Sequence, residues 1–170
     1  MSDAVHAAEG GERETSRGRC MCVSVAGASY GLPLGNVQEV IGLRPVTRVF
    51  HAPPALAGII NLRGEVLPVL DLAELLRAEA RDSSQADARI VVVRETEGLK
   101  RRAGLCVDAL LGLLDVPLEG LGATPSSISA AIRALVAGVI STSPPCAVFD
   151  VPNLLSAPDL ALLTDAQQPG

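Results

Sequence analysis

A chain of 170 residues can bury one good core or two small coupled ones, and its hydrophobic fraction of 48% is ordinary for a globular protein. The net charge of -5, the single lysine Lys100 and the scarcity of aromatics, limited to Tyr30, Phe50 and Phe149, exclude a basic base-stacking surface, so nucleic acid is not an expected partner. No apolar run approaches the roughly eighteen residues of a membrane-spanning helix, which argues against direct membrane insertion.

Residues 1–19 carry mixed charges without an apolar segment and read as a disordered tail. Cys20–Val25 alternates like a strand and leads through Gly27, Ala28 and Ser29 into Tyr30–Leu34. Val37–Gly42 is a third apolar segment, strand or short helix, followed by a loop with Arg44 and Arg48 around Pro45. The run from Leu56 to Leu76 is the most informative. Leu56–Leu62 and Glu65–Leu70 flank one Arg63-Gly64 pair, the spacing of two antiparallel strands joined by a tight turn in which glycine supplies the positive φ. Pro68 argues for an edge position or a bulge. Asp71 and Glu74 stand three apart, as an N-cap and its reciprocal partner would, and Leu72, Leu75 and Leu76 give a following helix one apolar stripe. Arg63 sits at the tip of a greasy hairpin, where a solvated turn residue and a recognition residue are both open readings.

The polar segment Glu79–Asp87 reads as a linker. Arg89–Arg94 is a β-branched run, Thr96–Gly98 a turn and Ala103–Val107 its return strand, and Ser126–Leu135 is expected to form a short helix after Pro125. The second half repeats the first. Val136–Ile140 echoes Leu56–Ile60, Val148–Leu155 echoes Val69–Leu76, Gly104–Val107 echoes Gly31–Leu34, and Leu110, Leu113 and Leu114 match Val37, Val40 and Ile41. Two copies with so long a period argue against a solenoid and for two related subdomains packed together. The expected division is a domain over 20–165, with barrels at about 20–87 and 88–163 that share apolar surface, and a C-terminal tail over 166–170. With about five short strands in each half, the expected architecture is mainly β, a pair of small barrels with a few short helices.

Catalytic chemistry finds little support. Cys20, Cys22, Cys106 and Cys146 lie in strand-like segments without a Cys-x-x-Cys pair, so buried small hydrophobes are favoured over metal ligands, and a reducing cytoplasm is the expected compartment. His51 stands in a proline-flanked loop, and no nucleophile elbow, zinc-binding or phosphate-loop motif occurs. Asp71 and Asp150 could be imagined as a carboxylate pair, but each falls where a strand hands over to a helix and a cap is needed. No catalytic residue, metal site or cofactor is expected.

Several motifs in fixed order resemble one family. Tyr30-Gly-Leu, Val37-Gln-Glu-Val40, Val46-Thr-Arg48, Asn61-Leu-Arg-Gly64 and Val66–Leu72 are similar to CheW, the adaptor of bacterial chemotaxis, and Gly104, Asp108, Gly138 and Val148-Phe-Asp150 extend the resemblance from about Cys20 to Asp165. The proline-rich Ser141–Cys146 departs from the family's turn between its last two strands. The resemblance implies two intertwined five-stranded SH3-like barrels around a shared core and no catalytic activity. It further implies a cytoplasmic adaptor, recruited to membrane receptor arrays, that joins the regulatory domain of a CheA-type histidine kinase to the cytoplasmic tips of methyl-accepting chemoreceptors. Leu34, Val37 and Glu39 match family positions at or near partner-binding surface, and Gly58, Asn61, Arg63 and Gly64 belong to the signature hairpin. Ordinary core packing remains open for Val37. The alternative reading, a small-ligand-binding or hydrolytic β-barrel, would require a polar-lined cavity near His51, Asp71 or Asp108.

Overall fold

The computed structural model describes residues 18–78, 86–98, 100–117 and 119–156. The expected N-terminal tail up to Arg17, most of the expected linker and the chain after Ser156 lie outside the described residues. In chain order the elements are β1 (Arg19–Val25), β2 (Ala28–Pro33), a 3-10 turn (Leu34–Asn36), β3 (Val37–Gly42), β4 (Leu56–Leu62), β5 (Glu65–Asp71) and helix α1 (Leu72–Leu75). The second half continues with β6 (Arg89–Arg94), β7 (Arg102–Val107), β8 (Ala109–Asp115), α2 (Ala130–Arg133), β9 (Val136–Ile140), β10 (Cys146–Phe149) and α3 (Val151–Leu155).

The strands form two five-stranded sheets with orders β8-β1-β2-β10-β9 and β3-β6-β7-β5-β4. Exchanging β1–β5 for β6–β10 turns one order into the other, so the internal repeat is a structural one. Each sheet combines the first two strands of one half with the last three of the other. The sheets therefore do not divide the chain at residue 87, as the expected barrel boundaries had it. Local patterning finds a hairpin, but which sheet it joins is set by long-range pairing, here the parallel ladders of β10 on β2 and β5 on β7. The mainly β, intertwined architecture stands.

Each sheet is closed into a barrel by the segment that follows its outer strand. Past β3 the chain bends over and Thr47 exchanges two backbone hydrogen bonds of 2.9 Å with Ile59 on β4. Past β8, Gly122 does the same with Val139 on β9, at 2.8 and 3.0 Å. The bulges repeat too. The β4–β5 register shifts between Leu56 and Gly58, and the β9–β10 register between Val148 and Phe149, so that Gly58 faces Val69 as Gly138 faces Val148.

β6 reads as an unbroken apolar run because both of its faces are covered. Ile90 and Val92 point into their own barrel with Ile60, Leu67 and Val69, whereas Val91 and Val93 point into a core shared with the other sheet. Among the described residues that shared core holds seventeen buried side chains, against six and four inside the two barrels. At about 1.5–3 kcal/mol for each fully buried aliphatic side chain, most of the apolar stabilisation lies between the barrels. Neither barrel is independent of the other. Phe149 is fully buried at this junction and stacks on Tyr30, with ring centroids 5.0 Å apart.

Several local expectations are met and others shift. The Arg63-Gly64 turn has φ values of 53° and 84°, so both central residues take the left-handed conformation of a two-residue hairpin. Asp71 caps α1 by accepting from the Glu74 amide at 3.3 Å, and Asp150 caps α3 by accepting from the Asn153 amide at 3.1 Å. Val37–Gly42 is a strand. Pro68, expected at an edge or a bulge, lies in inner strand β5 with no register shift beside it; its missing N–H is tolerated because the ladder to β7 begins one residue later, at Val69. The helix expected over Ser126–Leu135 shrinks to α2, which Ser129 caps by accepting from the Ile132 amide at 3.4 Å.

The β6–β7 hairpin is tied to the end of α3 by one buried acid. Glu95 is 5% exposed, and its carboxylate accepts from the Arg101 amide and guanidinium, while Arg101 Nη2 also donates to Ser156 Oγ at 2.8 Å. Hydrogen bonding from Arg101, which outweighs the opposing effect of burial, holds the Glu95 carboxyl below its ordinary range.

Two measurements check these assignments. Asp71→Ala should lower stability by about 1 kcal/mol, the usual loss of an N-cap, with Asp150→Ala giving a comparable drop; urea melts with unchanged midpoints would refute the capping roles. Glu95→Gln should cost about 2 kcal/mol at pH 7, a loss softened because Arg101 keeps 24% of its side chain in solvent. The depressed folded-state pKa makes the Glu95 contribution fully present above the unfolded value of about 4.3. It is lost as pH falls through the lower folded value, so the gap between wild type and Glu95→Gln should narrow in urea melts below about pH 4.

Candidate functional site

The β4–β5 hairpin and β3 meet at one face of the β3-β6-β7-β5-β4 barrel. Asn61 Oδ1 accepts from the Gly64 amide at 2.9 Å, which ties the turn from below and leaves the Arg63 side chain projecting from its tip. Nothing lies within 4 Å of a Cβ added at Gly64, so that glycine is there for its positive φ rather than for space. The Arg63 guanidinium then reaches Glu39 on β3 in a two-pronged contact, Nη1 to Oε1 at 2.6 Å and Nη2 to Oε2 at 2.8 Å.

The two partners differ in exposure. Arg63 leaves 72% of its side chain in solvent, and Glu39 leaves 20%. The hydrogen bonds from Arg63 are the main reason why the Glu39 carboxyl is held below its ordinary range, with the fields of Arg63, Arg102 and Arg44 adding to them against a desolvation cost. The same contact pushes the Arg63 guanidinium up. Beside this pair, Arg102 Nη2 donates to Glu65 Oε2 at 2.6 Å across β7 and β5. The face is thus a lattice of fixed, solvent-accessible charges on rigid strands.

Of the residues expected at a recognition surface, Glu39, Asn61, Arg63 and Gly64 are brought together. Leu34 lies in the 3-10 turn that leads into β3, half-buried, and Val37 begins that strand with its side chain packed against the shared core. Gly58 has to be reassigned. It is buried under the barrel-closing segment, where a Cβ would lie 2.2 Å from the Thr47 carbonyl oxygen, so it serves closure and cannot present a surface.

Further apolar side chains stand exposed. Phe50 is 94% exposed in the loop between β3 and β4, and Leu110, Leu111 and Leu113 are exposed on β8. β8 is a strand whose only sequence signal is the match of Leu110, Leu113 and Leu114 to β3 through the repeat. A chain with so few aromatics that places one between Arg48 and two prolines could have signalled Phe50.

Several ionisable groups elsewhere are engaged in structure. Asp108 Oδ2 accepts from the Ala26 amide at 2.7 Å and holds the β1–β2 turn. A cavity of about 410 Å³ opens beside Asp71, lined also by Arg48 and Glu74. The Asp71 carboxylate is committed to the α1 cap, and among the described residues neither a histidine nor a hydroxyl or thiol nucleophile lines the cavity. All four cysteines are free thiols, and Cys22 Sγ touches Cys146 Sγ at 3.7 Å. Burial is the leading cause that pushes Cys20 and Cys106 up to about 11 and Cys146 up to about 12, which suppresses the thiolate. Among the described residues no group of three or more His, Cys, Asp or Glu side chains is placed to hold a metal ion, and no helix is long and apolar enough to cross a membrane.

Two barrels knitted through one core, with charges fixed on an outer face, make a rigid interaction module. The family described as the CheW-like domain matches residues 19–159, and the chain belongs to it. It is 30% identical over 141 residues to a probable chemotaxis protein CheW of Rhizobium etli, covering 83% of this chain and 85% of that one. Protein FrzA of Myxococcus xanthus is 32% identical over 123 residues, covering 72% and 73%. The crystal structure of the scaffolding protein TtCheW from Thermoanaerobacter tengcongensis superposes with a TM-score of 0.69 at 30% identity, covering 79% of this chain and 85% of that one. The chain is a CheW-like scaffold of the chemotaxis type and not an enzyme.

The Glu39–Arg63 geometry has a direct spectroscopic consequence. In carboxyl-detected NMR titrations Glu39 should lose its charge at a pH below the ordinary glutamate value of about 4.3, and Arg63→Ala should move that transition up. A Glu39 titration unaffected by Arg63→Ala would mean that the two side chains are not paired in solution.

Proposed function

We propose that this scaffold couples a CheA-type histidine kinase, through the kinase's regulatory domain, to the cytoplasmic tips of methyl-accepting chemoreceptors, and that it does so in the cytoplasm at membrane receptor arrays. The recognition face is the one that carries Glu39, Asn61, Arg63 and Gly64, with Leu34 and the N-terminal end of β3 at its border. The observation that carries this reading is the two-pronged Arg63–Glu39 contact, which joins a hairpin tip to β3 with its arginine mostly in solvent.

A stabilising role explains that contact poorly. An ion pair whose arginine is mostly in water gains little, because solvent screens the attraction and two long side chains are immobilised. Pre-organised charges at a rim, by contrast, select a partner and fix its orientation. The pair holds both side chains in place before any partner arrives, which lowers the ordering cost of association. Membership of the CheW-like family and the similarity to proteins named for chemotaxis supply the choice of partners.

Arg63→Ala and Glu39→Ala should keep near-native melting temperatures and weaken association with the kinase regulatory domain or the receptor tip. The loss should shrink at high ionic strength if long-range charge contributes. Calorimetric titration of each variant against each purified partner decides the matter. Unchanged affinity for both partners in both variants would return Arg63 to a solvated turn residue.

A further inference from the structure

The β6–β7 hairpin carries charge in an arrangement that folding alone does not favour. Arg94 and Arg102 occupy directly opposed register positions of the antiparallel pair, where like charges repel. Lys100, the chain's single lysine, follows in the same hairpin with a φ of 53° and is exposed. All three line a cavity of about 400 Å³, whose other walls are Gln38, Glu95 and Thr96.

The charges within the cavity do not cancel. Glu95 is buried and already saturated by Arg101, and Arg102 is met by the exposed Glu65. Neither Arg94 nor Lys100 has a carboxylate within ion-pair distance among the described residues. The cavity therefore holds two uncompensated cations in a chain whose net charge is -5. Both side chains are exposed, so an anion from solution can reach them.

The chemistry of the lining narrows what that charge is. A guanidinium presents a fork of N–H donors that matches the oxygens of a phosphate, and a lysine adds a point charge. Gln38 and Thr96 contribute neutral donors at the wall. The concavity, of about 400 Å³, is of a size to seat a compact ligand. We propose that this cavity binds a small, multiply charged phosphate-bearing anion, bridging Arg94, Lys100 and Arg102 and relieving the repulsion across the hairpin. The site adjoins the Glu39–Arg63 contact, with Arg102 between them, and does not depend on the coupling role.

Pyrophosphate is the probe, titrated into the full chain by calorimetry and thermal melting at an ionic strength matched with sodium chloride. The wild type should bind it with saturable heat and a rise in melting temperature that chloride does not produce. The double variant Arg94→Gln/Lys100→Gln should lose about tenfold or more in affinity, the scale of a lost charge-assisted hydrogen bond. Without ligand its melting temperature should equal or exceed that of the wild type, because the cross-strand repulsion has been removed. Arg94→Lys, which keeps the charge and loses the fork, should bind pyrophosphate less tightly than the wild type with the fold unaltered. Absence of a pyrophosphate-specific signal, or undiminished binding by the double variant, would overturn the proposal. So would tighter binding of a polyglutamate peptide than of pyrophosphate, which would make an acidic protein segment the ligand.

Discussion

Two short parallel ladders, β10 on β2 and β5 on β7, are the contacts on which the molecule depends. Each joins the last strand of one half to the second strand of the other, and in each a glycine faces a valine: Gly31 opposite Val148 and Gly104 opposite Val69. A Cβ on Gly104 would lie 2.7 Å from Ile90 Cγ2, and one on Gly31 would lie 3.2 Å from Val148 Cγ2. Gly104 thus leaves room for Ile90 of the adjoining strand, and Gly31 leaves room for Val148 across the parallel ladder. From these ladders the rest follows: β5 and β10 run directly into α1 and α3, whose Leu72, Leu154 and Leu155 fill the core between the sheets. Aspartate caps at both hand-overs turn the chain at the point where the strand has to end.

Symmetry of backbone does not extend to symmetry of surface. Through the repeat, Glu39 on β3 corresponds to Gly112 on β8, and the Arg63-Gly64 turn corresponds to the turn before Cys146, which contains Ser143 and Pro144. The first barrel therefore closes its rim with a paired acid and base. The second presents Leu110, Leu111 and Leu113 from the matching edge strand. Duplicated architecture with unlike rims gives one scaffold two chemically different faces, and partners that match a charged rim are not the partners that match an apolar one. The rigid shared core keeps the two faces at a fixed separation.

Four carboxylates, of which Glu95 alone is buried, serve the fold. Asp71, Asp150, Asp108 and Glu95 all accept hydrogen bonds from backbone amides, and burial holds the Cys20 and Cys146 thiols in their neutral form. What remains available for recognition is at the surface: the Glu39–Arg63 contact and the cations of the β6–β7 hairpin.

From the sequence alone came the hairpin around Arg63-Gly64, both aspartate caps, the internal repeat and the family resemblance, because each is written in neighbouring residues whose spacing reflects local geometry. The offset between the halves even preserved the glycine-valine pairing across each parallel ladder. Only the tertiary structure decided which strands share a sheet, since a strand's side-chain alternation is the same whichever neighbour it pairs with. It moved Gly58 from the surface to the closure beneath Thr47, placed Pro68 in an inner strand, and brought Glu39 within reach of Arg63 from twenty-four residues away. It also set Arg94 against Arg102, a repulsion invisible along the chain because it exists only once β6 and β7 are in register. Local chemistry fixes elements and turns; long-range pairing decides which charges meet.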